Sequence, residues 1–563
     1  MPYTADFETC DDRGLTADGI PTEVHVWLWA TCDIDTLSME YGTSIYTFLE
    51  YMHDNPDAYW FHNLAYDGTH IVDALLRAGW PHVQGKEHVP GTFSTLISDS
   101  GKWYHVGITW GDGTHVDIYD SLKKFPMSVA AIAKRFDMPV QKGEIDYTEW
   151  RPWGYVPTAD EIEYISGDVG IMARAMAEDY EQGLTKMTIG ADCMRWYKRD
   201  VGERWETLFP QLNTLQDAQL REAYRGGYCA VDDRYKGVDV YGGISVDYNS
   251  MYPSMMISKP YPVGRPVYFT GRYETDDAYP LYVQTLTCTF HVKHERLAMV
   301  QLKRSPWYGQ HEYVRDTVEA VTLTLSSVDL DLFFLNYDVD VWSWDGGYKF
   351  KSQKGIFDDY ISYWAGIKET SEGAQRYLAK LFLNNLYGKF GTNPNVTGKI
   401  PVLADPYDVV RFETGAHEER PPVYVPVAIF ATAYARDTLI RAILGNRERF
   451  IYCDTDSIHL TGTDAPDGLP LDDNLLCHWK VEGGFSRARH LRPKTYIWDL
   501  NGRLDVKCAG MSAKIKELCT FDNFYEGFSN MDSDGRVLEG YGKLVPYMCR
   551  GGRTLVERPF KIS

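Results

Sequence analysis

The sequence predicts a mixed α/β fold spread over several domains, and three observations lead there. The chain of 563 residues has room for three or four units of ordinary size, and its 44% hydrophobic content allows each a core. Period-two and period-3.6 hydrophobic patterns alternate through roughly the first 180 residues, as in a sheet with helices packed against it. Beyond that point the order becomes strand, long β-patterned insertion, strong helix and hairpin, which marks a second kind of unit.

Residues 3 to 30 read as two strands around a polar turn, the second alternating through Val24, Val26 and Leu28. A short strand at Ala58 to His62 precedes a helix at Ile71 to Ala78; His115 to Tyr119 alternates again, and a helix follows from Ser128. Thr158-Ala-Asp-Glu161 has the capping-box layout, in which hydroxyl and carboxylate each satisfy an exposed amide, and it opens a helix with Ile162, Ile165, Val169 and Met172 on one side. Tyr224-Arg-Gly-Gly-Tyr228 reads as a connector whose glycines permit a tight turn or a close backbone approach. After a strand at Ile244 to Asp247 come roughly 115 residues of partial β pattern, a helix from Thr370 to Tyr387 and a hairpin from Phe450 to Leu460.

Composition excludes several classes. Lys+Arg 57 against Asp+Glu 79 gives a formal charge of −22, so the protein does not hold nucleic acid by net charge, although a local basic channel remains open to it. No apolar run reaches membrane-span length, and the start Met1-Pro2-Tyr3-Thr4-Ala5-Asp6 lacks a signal-peptide layout, so a cytosolic protein is expected. The ten cysteines are scattered without a Cys-x-x-Cys pair, which points to free thiols rather than zinc knuckles or a disulfide frame.

Two sets of carboxylates carry the chemistry. Asp6 and Glu8 stand at i and i+2 on a strand and so share a face, where they repel each other. Asp67 lies in a loop after a strand, and Asp168 follows Tyr164 by four residues on a helix. Four such acids suit two hard cations, Mg²⁺ or Mn²⁺, in two-metal phosphodiester chemistry, with Tyr164 orienting the water. Thr9, His62, Asn63, Tyr66, Ser121, Leu122, Lys142 and Tyr147 surround these motifs and offer the stacking rings and phosphate donors that a single-stranded end requires. The second set begins with Asp247 at the end of an apolar strand and continues with Asp454 and Asp456 at a hairpin tip. Arg376, Lys380, Asn384 and Tyr387 form one helical stripe, a platform for a triphosphate, sugar and base.

These motifs resemble family B DNA polymerases. The first set matches, in order and spacing, the three exonuclease motifs of proofreading polymerases. Asp247-Tyr-Asn-Ser-Met-Tyr-Pro253 resembles the first palm motif, Lys380 to Gly388 the finger motif, Tyr452-Cys-Asp-Thr-Asp-Ser457 the second palm motif, and Lys494-Thr-Tyr496 the primer-binding motif. Tyr119-Asp-Ser-Leu-Lys-Lys124 and Tyr224-Arg-Gly-Gly227 extend the likeness to the protein-primed subgroup of small bacteriophages, from Asp6 to Lys561. Asn385 and Met251 depart from the usual serine and leucine without removing a required charge.

The resemblance implies a ribonuclease H-like exonuclease domain at 1–185, then a right-hand polymerase. Its palm would span 186–258 and 424–523, a first insertion 259–355, fingers 356–390, a second insertion 391–423 and a thumb 524–563. It implies that Asp247, Asp456 and the Tyr248 carbonyl hold two metal ions, with Asp454 beside them, and that Asp6, Glu8, Asp67 and Asp168 hold two more, with Tyr164 and Lys142 completing that catalytic set. Lys368, Arg376, Lys380 and Asn384 would bind the nucleotide, Tyr252 would exclude a 2′-hydroxyl, and Tyr387 would pack on the nascent base pair. Tyr224, Gly226, Gly227, Lys494 and Tyr496 would contact DNA. The implied partners are template, primer, dNTPs and a terminal priming protein. The implied setting is a monomer in the host cytoplasm. A primer-independent or DNA-primed relative with the same core remains the alternative, and a catalytically inactive DNA-binding scaffold with degenerate sites would lack a carboxylate from one set, which this chain does not.

Overall fold

The computed structural model describes residues 2–16, 20–85, 87–138, 145–147, 149–303, 313–404 and 408–562. Two seven-stranded sheets dominate it. The N-terminal sheet has the spatial order Met39–Gly42, Val24–Asp33, Tyr3–Asp11, Ala58–Phe61, His115–Asp120, Trp103–Thr109 and Thr92–Ile97. Its middle is parallel, with Tyr3–Asp11 beside Ala58–Phe61 and that strand beside His115–Asp120, and its flanks are antiparallel. Every residue of Val24–Asp33 is buried because helices cover the sheet, which is why that strand is nearly all apolar.

Helix Ala159–Glu181 packs on this sheet, and its capping box forms as the sequence predicts. Helix Leu64–Arg77 starts seven residues earlier than the apolar periodicity alone indicates. Asn63 turns the chain in a left-handed conformation, φ 72°, which asparagine tolerates well, and its amide donates to the Asp120 carboxylate at 3.0 Å. Asp67 therefore sits in the first turn of a helix and not in a loop. A carboxylate is favoured there by the unpaired amides of the helix start.

The second large sheet is wholly antiparallel. Its order is Arg503–Cys508, Thr495–Leu500, Trp479–Arg492, Asp239–Tyr248, Ser457–Thr461, Phe450–Asp454 and Cys229–Val231. Helix Pro426–Gly445 lies in the same core as the sheet and is buried along most of its length. The single helix expected from Thr370 to Tyr387 is the second of a pair: Asp358–Thr370 ends at Thr370, and Gly373–Phe390 begins after a break at Ser371 and Glu372. A four-stranded sheet (Tyr261–Phe269, Tyr337–Gln353, Leu281–Val292, Val321–Ser326) fills the long β-patterned stretch. The hairpin Asn395–Ala404 and Val409–Glu419 leans on the N-terminal unit, where Phe412 meets Trp103 edge-on. A last hairpin, Lys543–Cys549 and Gly552–Arg558, does the same: the Val24 amide donates to the Arg550 carbonyl and His70 bonds the Gly551 carbonyl. No helix among the described residues is long and apolar enough to cross a membrane.

Candidate active sites

In the N-terminal sheet, the register between Tyr3–Asp11 and Val24–Asp33 stays regular through Asp6 and Glu8 and slips only after Glu8, so the two carboxylates remain on one face. Asp67 and Asp168 arrive from the two helices, and both are buried. Their convergence shows in their charges. Burial, then Asp6, and more weakly Glu8 and Asp120, push the Asp67 carboxyl well above the usual range. Burial together with Glu8, Asp168 and Asp6 likewise pushes the Tyr164 phenol up, against a 2.9 Å hydrogen bond with the Tyr147 hydroxyl.

The predicted single-strand ligands ring this cluster. Thr9 and Tyr66 share a hydrogen bond of 2.8 Å. His62 bonds Ser121 at 3.0 Å and the Met127 carbonyl at 2.7 Å, so its ring is fixed between two elements. Asp120, which sequence reasoning passed over, organises the rim: its carboxylate accepts from the amides of Asn63 and Leu122 and pairs with Lys123 at 2.8 Å. Ser121 is fully buried and donates to the Phe61 carbonyl, while Tyr147 is largely exposed. Lys142 lies outside the described residues.

The central sheet builds the second cluster. Asp247, next to last in its strand, stands directly opposite Ser457, and the Tyr248 amide donates to the Asp456 carbonyl at 2.7 Å. The hairpin turn between Asp454 and Asp456 is made by Thr455 with φ 59°. Gly227 permits that turn: a Cβ there would lie 2.8 Å from the Thr455 hydroxyl, so the close approach allowed by the Gly-Gly pair falls at its second member, while a Cβ at Gly226 meets nothing. Tyr224 closes the other end of the connector against Gly391. Burial and the Asp247 and Asp454 charges push Asp456 up to about 7. Asp454 is held by Lys494, whose ammonium lies 3.0 and 2.9 Å from its two oxygens, and Tyr496 packs against Tyr452 beneath.

The finger stripe falls as its spacing requires. Arg376, Lys380 and Asn384 are exposed, Tyr387 is half-buried, and Leu378 and Leu386 point into the core. Tyr387 stacks on Tyr252 with ring centroids 3.9 Å apart. Lys368 donates to the Ser250 hydroxyl at 3.0 Å, and Arg376 bonds the Lys368 carbonyl, which joins the two helices. Three residues here escaped the sequence reading. Lys480 and Glu482 stand at i and i+2 on Trp479–Arg492, a spacing that could have flagged a charged strand face. Arg436, a lone cation in an apolar helix, pairs with Asp329 and donates to the carbonyls of Arg225 and Gly226, which pins the connector.

Among the described residues no three His, Cys, Asp or Glu side chains are already closed to metal-ligand spacing. The donor set nevertheless fits divalent cations: oxygen ligands only, in two clusters where a buried carboxyl is raised by its neighbours' charge, which a cation would reverse.

This fold with its two acid clusters defines a nucleotide-polymerising class. Residues 148–473 match the family described as DNA polymerase type B, organellar and viral, and the chain belongs to it. It is a DNA-directed DNA polymerase of phage type. It is 40% identical over 589 residues to the DNA polymerase of Bacillus phage phi29, covering 100% of this chain and 99% of that one. The Bacillus phage Nf enzyme is 39% identical over 588 residues, with 100% and 99% covered, and that of Streptococcus phage Cp-1 31% over 599, with 100% and 98% covered. The solved phi29 polymerase in complex with primer-template DNA and incoming nucleotide substrates matches with a TM-score of 0.91 at 38% identity over all of both chains. The mixed α/β fold expected from the sequence is the fold of that enzyme.

Proposed function

We propose that this polymerase copies a linear phage-type genome from a protein hydroxyl, displaces the opposite strand as it goes, and edits its product with a 3′ to 5′ exonuclease. The observation that carries the two-activity reading is the pair of acid clusters built around separate sheets, each with a carboxyl, buried Asp67 or half-buried Asp456, raised by desolvation and by its neighbours' charge. The full-length likeness to phage enzymes supports the protein-priming part, together with the two segments that interrupt the polymerase half, the four-stranded sheet and the Asn395–Glu419 hairpin. The phi29 complexes with primer-template DNA, incoming nucleotide and single-stranded DNA supply the chemistry of the partners. The unit boundaries follow the family: exonuclease 1–185, palm 186–258 and 424–523, insertions 259–355 and 391–423, fingers 356–390, thumb 524–563. The protein would act as a monomer in the host cytoplasm.

In the palm, Asp247, Asp456 and the Tyr248 carbonyl would hold two Mg²⁺ or Mn²⁺ ions, and in the exonuclease Asp6, Glu8, Asp67 and Asp168 would hold two. When bound, such ions neutralise phosphate charge and lower the pKa of an attacking oxygen. The protein does the rest by placement. Lys368, Lys380 and Arg376 receive the triphosphate, Asn384 holds the nucleotide, and the Tyr252–Tyr387 stack forms a rigid floor under sugar and base that leaves no room for a 2′-hydroxyl. Lys494 holds Asp454 and faces the primer, with Tyr496, Tyr224, Gly226 and Gly227 along the DNA path. In the exonuclease Tyr164, held by Tyr147, orients the water, and Thr9, His62, Asn63, Tyr66, Ser121 and Leu122 grip the frayed end.

A primed template with Mg²⁺, first with and then without dNTPs, tests both activities. Asp456→Ala should abolish extension and keep 3′ trimming, and Asp6→Ala should do the converse. Loss of both activities in either variant refutes the two-site reading. Incubation with a candidate terminal protein and one labelled dNTP tests priming, since the proposal requires a protein-linked nucleotide.

A further inference from the structure

Lys480 has no role in the site as described so far, yet it stands at its centre. In the antiparallel pairing of Trp479–Arg492 with Asp239–Tyr248 it lies directly opposite Asp247, before the register slips between Val481 and Gly483. Directly opposed side chains share a face of the sheet, and the Lys480 ammonium is 3.4 Å from the Asp247 carboxylate and 3.9 Å from Glu482.

The ammonium also belongs to a cluster of cations. Burial depresses the pKa of Lys368, and Arg376, Lys380 and Lys480 depress it further, so all four positive groups act on one space between the Asp247 strand and the finger helices. Asp247 in turn feels both Lys480 and Lys380. Asp247, Asp456, Glu482 and Glu369 offset these four cations in the free protein. The balance would shift if Asp247 turned to a divalent ion, because Lys480 would then lose its nearest counter-charge while its cationic neighbours remain. An anion of high charge density entering the same space would settle all four, and the polymerase reaction brings one in and sends one out.

We infer that Lys480 is a third phosphate-binding lysine, which exchanges Asp247 for the β- and γ-phosphates of the incoming nucleotide and holds the leaving pyrophosphate. This rests on the reading that Asp247 belongs to the nucleotidyl-transfer centre. Lysine suits the exchange because its ammonium is a compact charge on a flexible stem. The competing reading is a structural counter-ion that serves Asp247 alone.

The two readings separate on affinity. Lys480 is 35% exposed, so Lys480→Met leaves no cavity and the sheet pairing is backbone-made. With a dideoxy-terminated primer-template and Mg²⁺, calorimetric binding of inorganic pyrophosphate should weaken about ten-fold in Lys480→Met, the scale of one charge-assisted contact. The KM for single dNTP incorporation should rise about as much, with a smaller change in kcat, and Lys480→Arg should recover most of both. If pyrophosphate affinity and KM stay within about two-fold of the parent while only the Mg²⁺ half-saturation moves, Lys480 is a counter-ion and the inference is overturned. Asp247→Asn is the control. If it left incorporation intact, the assignment of the centre would fall and the lysine's role with it, whereas an inactive Asp247→Asn beside an unaffected Lys480→Met overturns the lysine alone.

Discussion

Replacing Lys124 with Met should destabilise the N-terminal unit strongly at neutral pH and much less in mild acid. Lys124 is wholly buried, and its ammonium lies 3.0 Å from Asp179, 2.5 Å from Asp192 and 2.7 Å from the Leu184 carbonyl. It thus ties the end of helix Ala159–Glu181 to the first turn of Ile189–Val201. Even with this partner, burial pushes Asp179 up to about 6, against an unfolded value of 3.8. A carboxyl raised on folding costs stability above its folded pKa, and the cost fades as pH falls toward the unfolded value. In the parent that cost is about 3 kcal/mol at neutral pH, taking about 1.4 kcal/mol per unit. Without the ammonium Asp179 stays protonated, which raises its cost to about 5 kcal/mol at about pH 7.5, and Asp192 adds to this with the same sign. The net loss is then about 3–4 kcal/mol, in line with breaking other buried pairs. At about pH 5.5 the parent and variant costs for Asp179 converge near 2 kcal/mol, so the gap should mostly close. Differential scanning calorimetry at the two pH values reads this directly, with a neutral-pH drop of roughly 8–12 °C in the N-terminal transition. An equal gap at both pH values, or a neutral-pH drop under about 2 °C, would refute the argument.

Three further outcomes follow from the central sheet. Gly227→Ala places a Cβ against Thr455, shifts the turn that carries Asp454 and Asp456, and should lower kcat for extension ten-fold or more while 3′ trimming is unchanged, measured on one primed template. Arg436→Met leaves buried Asp329 without its bidentate partner and frees the carbonyls of Arg225 and Gly226; a loss of about 3–5 kcal/mol is expected by urea unfolding, with partial recovery in Arg436→Met/Asp329→Leu. His459 and His490 are buried and share a 2.9 Å hydrogen bond, and burial pushes His459 down to about 3, so its neutral form stabilises the fold and that stability is lost as pH falls below the unfolded value of 6.5. By about pH 5 the cost for His459 is about 2 kcal/mol, with His490 adding in the same direction, visible as faster hydrogen exchange in Ser457–Thr461 and Trp479–Arg492, and reduced in His459→Phe.

The sequence displayed those parts of the fold whose cause is local. The Thr158 capping box and the Asp454-Thr-Asp456 hairpin depend on neighbours within a few residues, and each stands where the pattern put it, whereas the strand read as alternating through Val24, Val26 and Leu28 is present but buried on both faces. What escaped depends on long-range partners. Asp67 was legible as an acid but not as a helical one, because the left-handed turn at Asn63 is fixed by Asp120, on the neighbouring strand but 57 residues further along the chain. The break at Ser371 and Glu372 is marked locally by Thr370, Ser371 and Gly373, weak helix formers with Gly373 at φ 56°, but the flanking apolar pattern masks it. No local pattern singles out Lys480 as a site residue; antiparallel pairing sets it against Asp247, while Glu482 falls in the register slip beside it.

That pairing also bears on the charge of −22. Lys124, Lys494, Lys480 and Arg436 all face carboxylates inside the molecule, as do Arg487 and Arg489, both held by Asp239. Many of the chain's cations therefore pair with acids in the free protein, Arg487 and Arg489 on Trp479–Arg492 among them. Arg376 and Lys380 remain exposed on the finger helix, and from Arg536 to Lys561 six cations stand against two acids. An acidic polymerase can then bind DNA only where the substrate meets these uncommitted groups. The acid excess elsewhere would repel stray polyanion and so, on the proposed two-site reading, would confine productive binding to the two acid clusters once divalent ions offset their charge.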